Sequence, residues 1–228
     1  LFAALADGTV IEFPLTPTAR VQIIHNSPSP TVDVWTGEQR LLDDFAFRTA
    51  TPFVSVPADR TFNVGIALDN STAASEAIAN FPVVFESGKT YIVTASGIVG
   101  NTDTPFTLNV NDAGREAAAD PNLVDVAVLH GSTDAPAVDV DAVFVGNVIS
   151  GLSYGEFTPY LGLAPGIYDL AVRPAGNPAV VATFRADLSG LAGGAAYVFA
   201  SGFLQGSPAF GLFAALADGT VIEFPLTP

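Results

Sequence analysis

Cysteine is absent from all 228 residues. That excludes disulfide bridges, thiolate nucleophiles and cysteine-held metals, and it leaves the compartment open. Methionine is absent as well. Leu1 therefore reads as the start of a mature chain, or of a window cut from a longer one, with any signal peptide gone. Positive charge is scarce: one lysine, Lys89, and seven arginines face 23 acidic side chains, for a net charge of −15. A duplex binder needs a cationic stripe to displace counterions, so nucleic acid is not an expected partner. An anionic membrane surface is disfavoured for the same reason. Long apolar runs are missing too. The longest, near Phe210–Ala217, falls well short of the ~20 residues of a spanning helix.

Charged residues make up only 14% of the chain, against 49% hydrophobic. The apolar share suffices for a sizeable core. The low charge leaves Ala, Gly, Ser and Thr to form much of the surface, or requires that something cover it.

Two repeats organise the chain. Leu1–Pro17 reads LFAALADGTVIEFPLTP, and Leu212–Pro228 repeats it residue for residue at an offset of 211. A second, diverged repeat lies inside. RVQIIHNSPSPTVDVW from Arg20 matches VDVAVLHGSTDAPAVDVD from Val124, and GKTYIVTASG from Gly88 matches GAAYVFASG from Gly194. His25 to His130 and Gly97 to Gly202 are both 105 residues. Asp7 precedes His25 by the 18 residues that separate Asp112 from His130. Residues 1–17 thus occupy the place of the closing piece of a preceding domain. The expected organisation is a linking hairpin at 1–17, a first domain at 18–120 and a second at 121–228.

Short alternating runs such as RVQII, TFNVGIAL, TYIVTAS and AYVFAS are broken by SPSP, ESGK, TDAP and AGNP. Strands broken by turns every ~8–12 residues predict an all-β sandwich or barrel. Ser71–Ala79 and Asp112–Ala119 are the two helix candidates. In the terminal repeat, Asp7-Gly8 predicts a two-residue hairpin turn. That turn sets Phe2 opposite Phe13 and Ala4 opposite Ile11 on one face, with Leu5, Val10 and Glu12 on the other.

The motif H-x-S-x-D-A-P-A-V-D-V, then Y-G-x-x-T-P-Y-L-x-L-x-P-G, then V-R-P-A-G, resembles the bacterial and archaeal extracellular domain-of-unknown-function family numbered 4397. His130, Ser132, Asp134–Val140, Tyr154–Gly155, Thr158–Leu161, Pro165–Gly166 and Val172–Gly176 carry it. The first half departs, with Asn26 for the glycine and Phe47-Arg48 for Tyr-Gly. The resemblance implies two tandem β-sandwiches of immunoglobulin-like appearance in a secreted or surface protein. It supplies no catalytic residue, and it suggests extracellular filaments built of such domains.

Candidate chemistry is thin. Gly88-Lys89-Thr90 looks like the tail of a phosphate loop, but Val83 stands where that loop needs glycine, so a turn is expected. His25 and His130 each end a strand before a Ser/Pro turn. His130 has Ser132, Asp134 and Asp139 nearby, yet its match with His25 predicts an imidazole bonding the turn's backbone, not a catalytic triad. Asp139 and Asp141 share a strand face and form a weak cation candidate, with a solvated face as the default. Asn109–Glu116 resembles a calcium loop faintly. Trp35, near Thr36 and Glu38, reads as core before it reads as a sugar platform. Asn70-Ser71-Thr72 is an N-glycosylation acceptor pattern, and Pro14–Thr18 offers sites for O-glycans.

These readings converge on a structural protein with no cofactor and no catalytic residues. It would be a subunit of an extracellular, pilus-like fibre, joined head to tail with copies of itself in a helical polymer. The joining residues would be Phe2, Leu5, Ile11 and Phe13 in one copy of the segment, and Phe213, Leu216, Ile222 and Phe224 in the other. The alternative is a surface-displayed module that binds polysaccharide or a host protein.

Overall fold

The computed structural model describes residues 2–12 and 16–227. Among the described residues, twenty strands carry the fold. Strands β1 (Phe2–Ala4) and β2 (Val10–Glu12) form the first hairpin. Next come β3 (Thr18–His25), β4 (Val32–Thr36), β5 (Gln39–Phe45), β6 (Thr49–Ala50), β7 (Val54–Pro57), β8 (Thr61–Leu68), β9 (Ala79–Val84), β10 (Thr90–Ser96) and β11 (Thr107–Asn111). The second half supplies β12 (Val124–Leu129), β13 (Val138–Ala142), β14 (Gly146–Leu152), β15 (Leu161–Leu163), β16 (Ile167–Pro174) and β17 (Ala182–Asp187). It closes with β18 (Ala195–Ser201), β19 (Gly211–Leu216) and β20 (Val221–Phe224).

The all-β expectation holds, and the two halves form two sandwiches. In the first, the sheet β5-β4-β8-β9 packs on β11-β10-β3, which β6 and β7 extend. In the second, β14-β13-β16-β17 packs on β15-β12-β18-β19-β20. In both, the opening strand runs parallel to a late strand of its own sheet: β3 with β10 and β12 with β18. The first core gathers Val21, Tyr91 and Val93 beside Val32, Val34 and Ile66. The second gathers Val126, Phe184, Leu212 and Phe224.

A further cluster joins the sandwiches. Ile24, Phe53 and Ile92 from the first half pack on Ala127, Leu129, Tyr197, Phe199, Phe213 and Ala215 from the second. The molecule is therefore four sheets deep, and the central strands of its two inner sheets are covered on both faces. This explains why β18 is buried at every position and β10 at all but its first. Polar bonds cross the same seam. The Gln22 amide donates to the Leu216 carbonyl at 2.7 Å, and the Asn26 amide donates to Ala200 at 3.1 Å. Arg48 donates to the Ala209 carbonyl at 2.6 Å and stands 4.2 Å over the Phe213 ring.

Of the two helix candidates, each expected to span one or two turns, the first is met in part and the second is not. Ser71–Ala79 holds one turn of 3-10 helix, Ala74–Glu76. Asp112–Ala119 is an irregular crossing segment that opens on a turn. The Gly114 amide donates to Thr90, Glu116 pairs with Arg20 at 2.7 Å, and the Ala118 amide donates to Gly193. Those tertiary bonds outweigh the helix preference of its alanines.

Candidate functional site

The duplicated terminal segment is the candidate site, and its two copies have different surroundings. The second copy, β19–β20, is built into the inner sheet of the second sandwich. Leu212 faces Phe224, Phe213 faces Glu223, Ala214 faces Ile222 and Ala215 faces Val221. Leu212, Ala214 and Phe224 point into the sandwich core, with Leu216 and Ile222 packed beside them. Phe213 and Ala215 point the other way, into the seam, where the Phe213 ring stacks on Phe199 at 5.8 Å. Both faces of this hairpin are thus used, which is why neither is polar.

The first copy has the same hairpin geometry without the surroundings. Phe2 faces Glu12, Ala3 faces Ile11 and Ala4 faces Val10. Among the described residues, β1 and β2 pair only with each other. Leu5 is 47% exposed and Val10 63%.

The register corrects the sequence expectation by one residue. The Leu5 amide donates to the Thr9 carbonyl at 2.8 Å, so the loop is Ala6-Asp7-Gly8, three residues long. The Asp7 carboxylate accepts from the Thr9 amide and Gly8 takes φ +83°, as in a type I turn closed by a bulged glycine. The second copy repeats this with Ala217-Asp218-Gly219. Phe2 therefore opposes Glu12 instead of Phe13, and Ile11 opposes Ala3 instead of Ala4. Phe13 lies outside the described residues.

The two turn glycines give a direct test. A Cβ on Gly8 meets open space, while one on Gly219 lies 2.6 Å from the Pro52 nitrogen. Gly219→Ala is expected to lower global stability by more than the ~1–2 kcal/mol of left-handed strain. Gly8→Ala carries the same left-handed strain but confines it to a hairpin that pairs with neither sandwich among the described residues, so the urea midpoint of the global transition is expected to stay unchanged. Equal shifts in the two variants defeat this reading.

The remaining candidates are committed elsewhere. His130 is buried, and its Nε2 lies 2.9 Å from the Pro136 carbonyl, the turn-bonding role expected. Ser132 donates to Gly202 at 2.8 Å, Asp134 accepts from the Leu204 and Gln205 amides, and Asp139 accepts from the Gly176 and Gly151 amides. His130 and these side chains therefore form no nucleophile–base array. His25 is fully buried against Phe45, and its ring nitrogens bond no other group among the described residues.

Asp139 and Asp141 do share a face, of which only the Asp141 side is partly open to solvent. Asp139 is buried, and Arg173 bridges the pair, 2.7 Å from Asp141 and 3.5 Å from Asp139. The Gly176 and Gly151 amides hold the Asp139 carboxyl below the usual range, and Arg173, then Asn147, does the same for Asp141. A cation would have to displace Arg173.

Asp33 repeats the role of Asp139 in the first half. It accepts from the Asp44 amide across the irregular β4–β5 pairing, and it also takes bonds from Ser71 and Arg40. Sequence reading missed this bracing role, which the shared V-D-V motif at 32–34 and 138–140 could have flagged. Trp35 is 7% exposed and donates to Ser71, so it is core. Lys89 pairs with Glu86 and Asp112, and Gly88 turns at φ +78°. In Asn109–Glu116, Asp112 and Glu116 are bound to separate cations, Lys89 and Arg20. Asn70 sits exposed on a turn.

Each sandwich also carries an apolar cleft on the same flank. The first, about 530 Å³, opens between β5 and β7 over Val34, Leu42, Val56 and Phe62. The second, about 440 Å³, opens between β14 and β15 over Val140, Ile149, Leu163 and Tyr168.

The fold and its duplicated hairpin define a tandem β-sandwich protein. Family comparison agrees: the model described as "Domain of unknown function (DUF4397)" matches residues 19–141 and 124–218, and the chain belongs to that family. No curated protein matches it. Among the described residues, no helix is long and apolar enough to cross a membrane.

Proposed function

We propose that this chain is the structural subunit of an extracellular, pilus-like filament, joined head to tail through its repeated terminal β segment. One observation carries the reading. A sequence whose strand 212–215 is buried on both faces, with Phe224 beside it, stands at 2–12 with no sheet to join among the described residues. A lone two-stranded hairpin is marginal in water, and a neighbouring copy supplies the missing sheet. The contact is heterologous, so it propagates unless a ring closes. The exposed acceptor pattern at Asn70 and the low share of charged residues fit a glycosylated fibre at the cell surface. The alternative, a surface-displayed module for polysaccharide or host protein, has the two apolar clefts on its side.

Deleting residues 1–13 tests the proposal. The intact chain is expected to form elongated particles by negative-stain microscopy, with a concentration-dependent elution volume. The truncated chain is expected to stay monomeric with an unchanged melting curve. A full-length chain that remains monomeric at high concentration, with truncation changing nothing, rejects it.

A further inference from the structure

The two sandwiches differ at one edge. In the second, β20 covers β19, and the tail beyond it bonds to β17: the Arg185 amide donates to Pro225 and the Thr227 amide to Thr183. In the first, β11 is the counterpart of β19. Thr94 faces Asn109 as Phe199 faces Phe213, and Val93 faces Val110 as Val198 faces Ala214. Beyond β11, no described strand takes the place of β20. Residues 114–118 instead cross towards Thr90, Arg20 and Gly193. The β11 edge is left open, and Val110, whose counterpart Ala214 is fully buried, is 43% exposed.

We propose that this open edge of β11 receives β2 of a second copy of the chain. The inference rests on the filament reading and names its acceptor. The occupant follows from the molecule's own duplicate, because Val10–Phe13 is identical to the strand Val221–Phe224 that fills the equivalent place in the second sandwich. Transferring that register sets Ile11 opposite Val110, Val10 opposite Asn111 and Glu12 opposite Asn109. Ile11 then covers the exposed Val110 on the core side of the sheet. Glu12 falls beside Asn109, whose side-chain nitrogen is buried without a hydrogen-bond partner among the described residues. A carboxylate acceptor at that position satisfies a donor otherwise left costly. Sheet extension by a foreign strand is an established mode of recognition; the acceptor edge of β11 holds no described resident strand, and β2 exchanges its partner β1, which bonds the same edge of β2, for β11.

The absence of native cysteine makes the test clean. Chains carrying only Glu12→Cys are mixed with chains carrying only Asn109→Cys and treated with oxidised glutathione, which accepts the electrons as the disulfide forms. Cross-strand neighbours lie close enough to bridge, so a covalent heterodimer is expected as the main product on a non-reducing gel. Val10→Cys with Asn111→Cys, in the same register, serves as the second pair should either first variant misfold. A third mixture, Val10→Cys with Ala215→Cys, the equivalent register in the second sandwich, reports seating there by strand exchange. Preferential cross-linking in that mixture overturns the proposal. So does the absence of heterodimer in both β11 pairs when microscopy still shows polymer, in which case the filament reading survives alone. If neither polymer nor heterodimer forms, both readings fall.

Discussion

Phe213→Ala is expected to destabilise the folded chain by about 3–5 kcal/mol, the range for emptying a buried aromatic site, while Phe2→Ala shifts it by no more than ~0.5 kcal/mol. The two residues occupy the same position in two copies of one sequence. Phe213 is 5% exposed, stacks on Phe199 and lies under the Arg48 guanidinium. Its loss opens a cavity in the seam and strips a cation–π partner. β1 pairs only with β2 among the described residues. Urea denaturation at a concentration where the chain is monomeric separates the cases. Equal losses would mean that the first hairpin docks on its own molecule. At higher concentration the order reverses for assembly, where Phe2→Ala is the harmful change.

The second large effect is acid sensitivity in a window set by histidine. Burial pushes the His25 imidazole down from 6.5 to about 4 and lowers His130 in the same direction. The folded state then binds fewer protons than the unfolded chain between these values, so its stability rises with pH across them. That contribution is complete above pH 6.5 and is lost on the way down to about 4. For His25 alone the loss is on the order of 3 kcal/mol. The depressed carboxyls of Asp33, Asp139 and Asp141 act lower still, since their contribution disappears only as pH falls below the ordinary aspartate value of 3.8. Urea midpoints at pH 7.5 and pH 4 should therefore differ strongly in the native chain. His25→Leu should flatten the slope between them, and an unchanged slope in that variant counts against the assignment.

The repeats, the all-β class and the turn-bonding role of His130 could be read from the residues, because each depends on local pattern and on the matched halves. The hairpin register could not. Asp-Gly serves both a two-residue turn and a three-residue turn closed by a glycine bulge, and the choice is enforced at 212–224 by contacts from distant strands. The partner of Asp139 and Asp141 was hidden for a similar reason: Arg173 is 32 residues from Asp141 in sequence and is brought across by the β13–β16 pairing. The seam does leave a mark in the sequence. TYIVTAS and AYVFAS lack clear alternation between apolar and charged positions, which is how a strand covered on both sides looks.

The shared seam also bears on how such a protein can evolve. Ile24 and Ile92 are lost to water only because the other half sits on them, so a solitary half would carry a sticky flank. Duplication therefore left the pair, not the single sandwich, as the smallest heritable building block. Later copies of the gene would be expected to grow in steps of two.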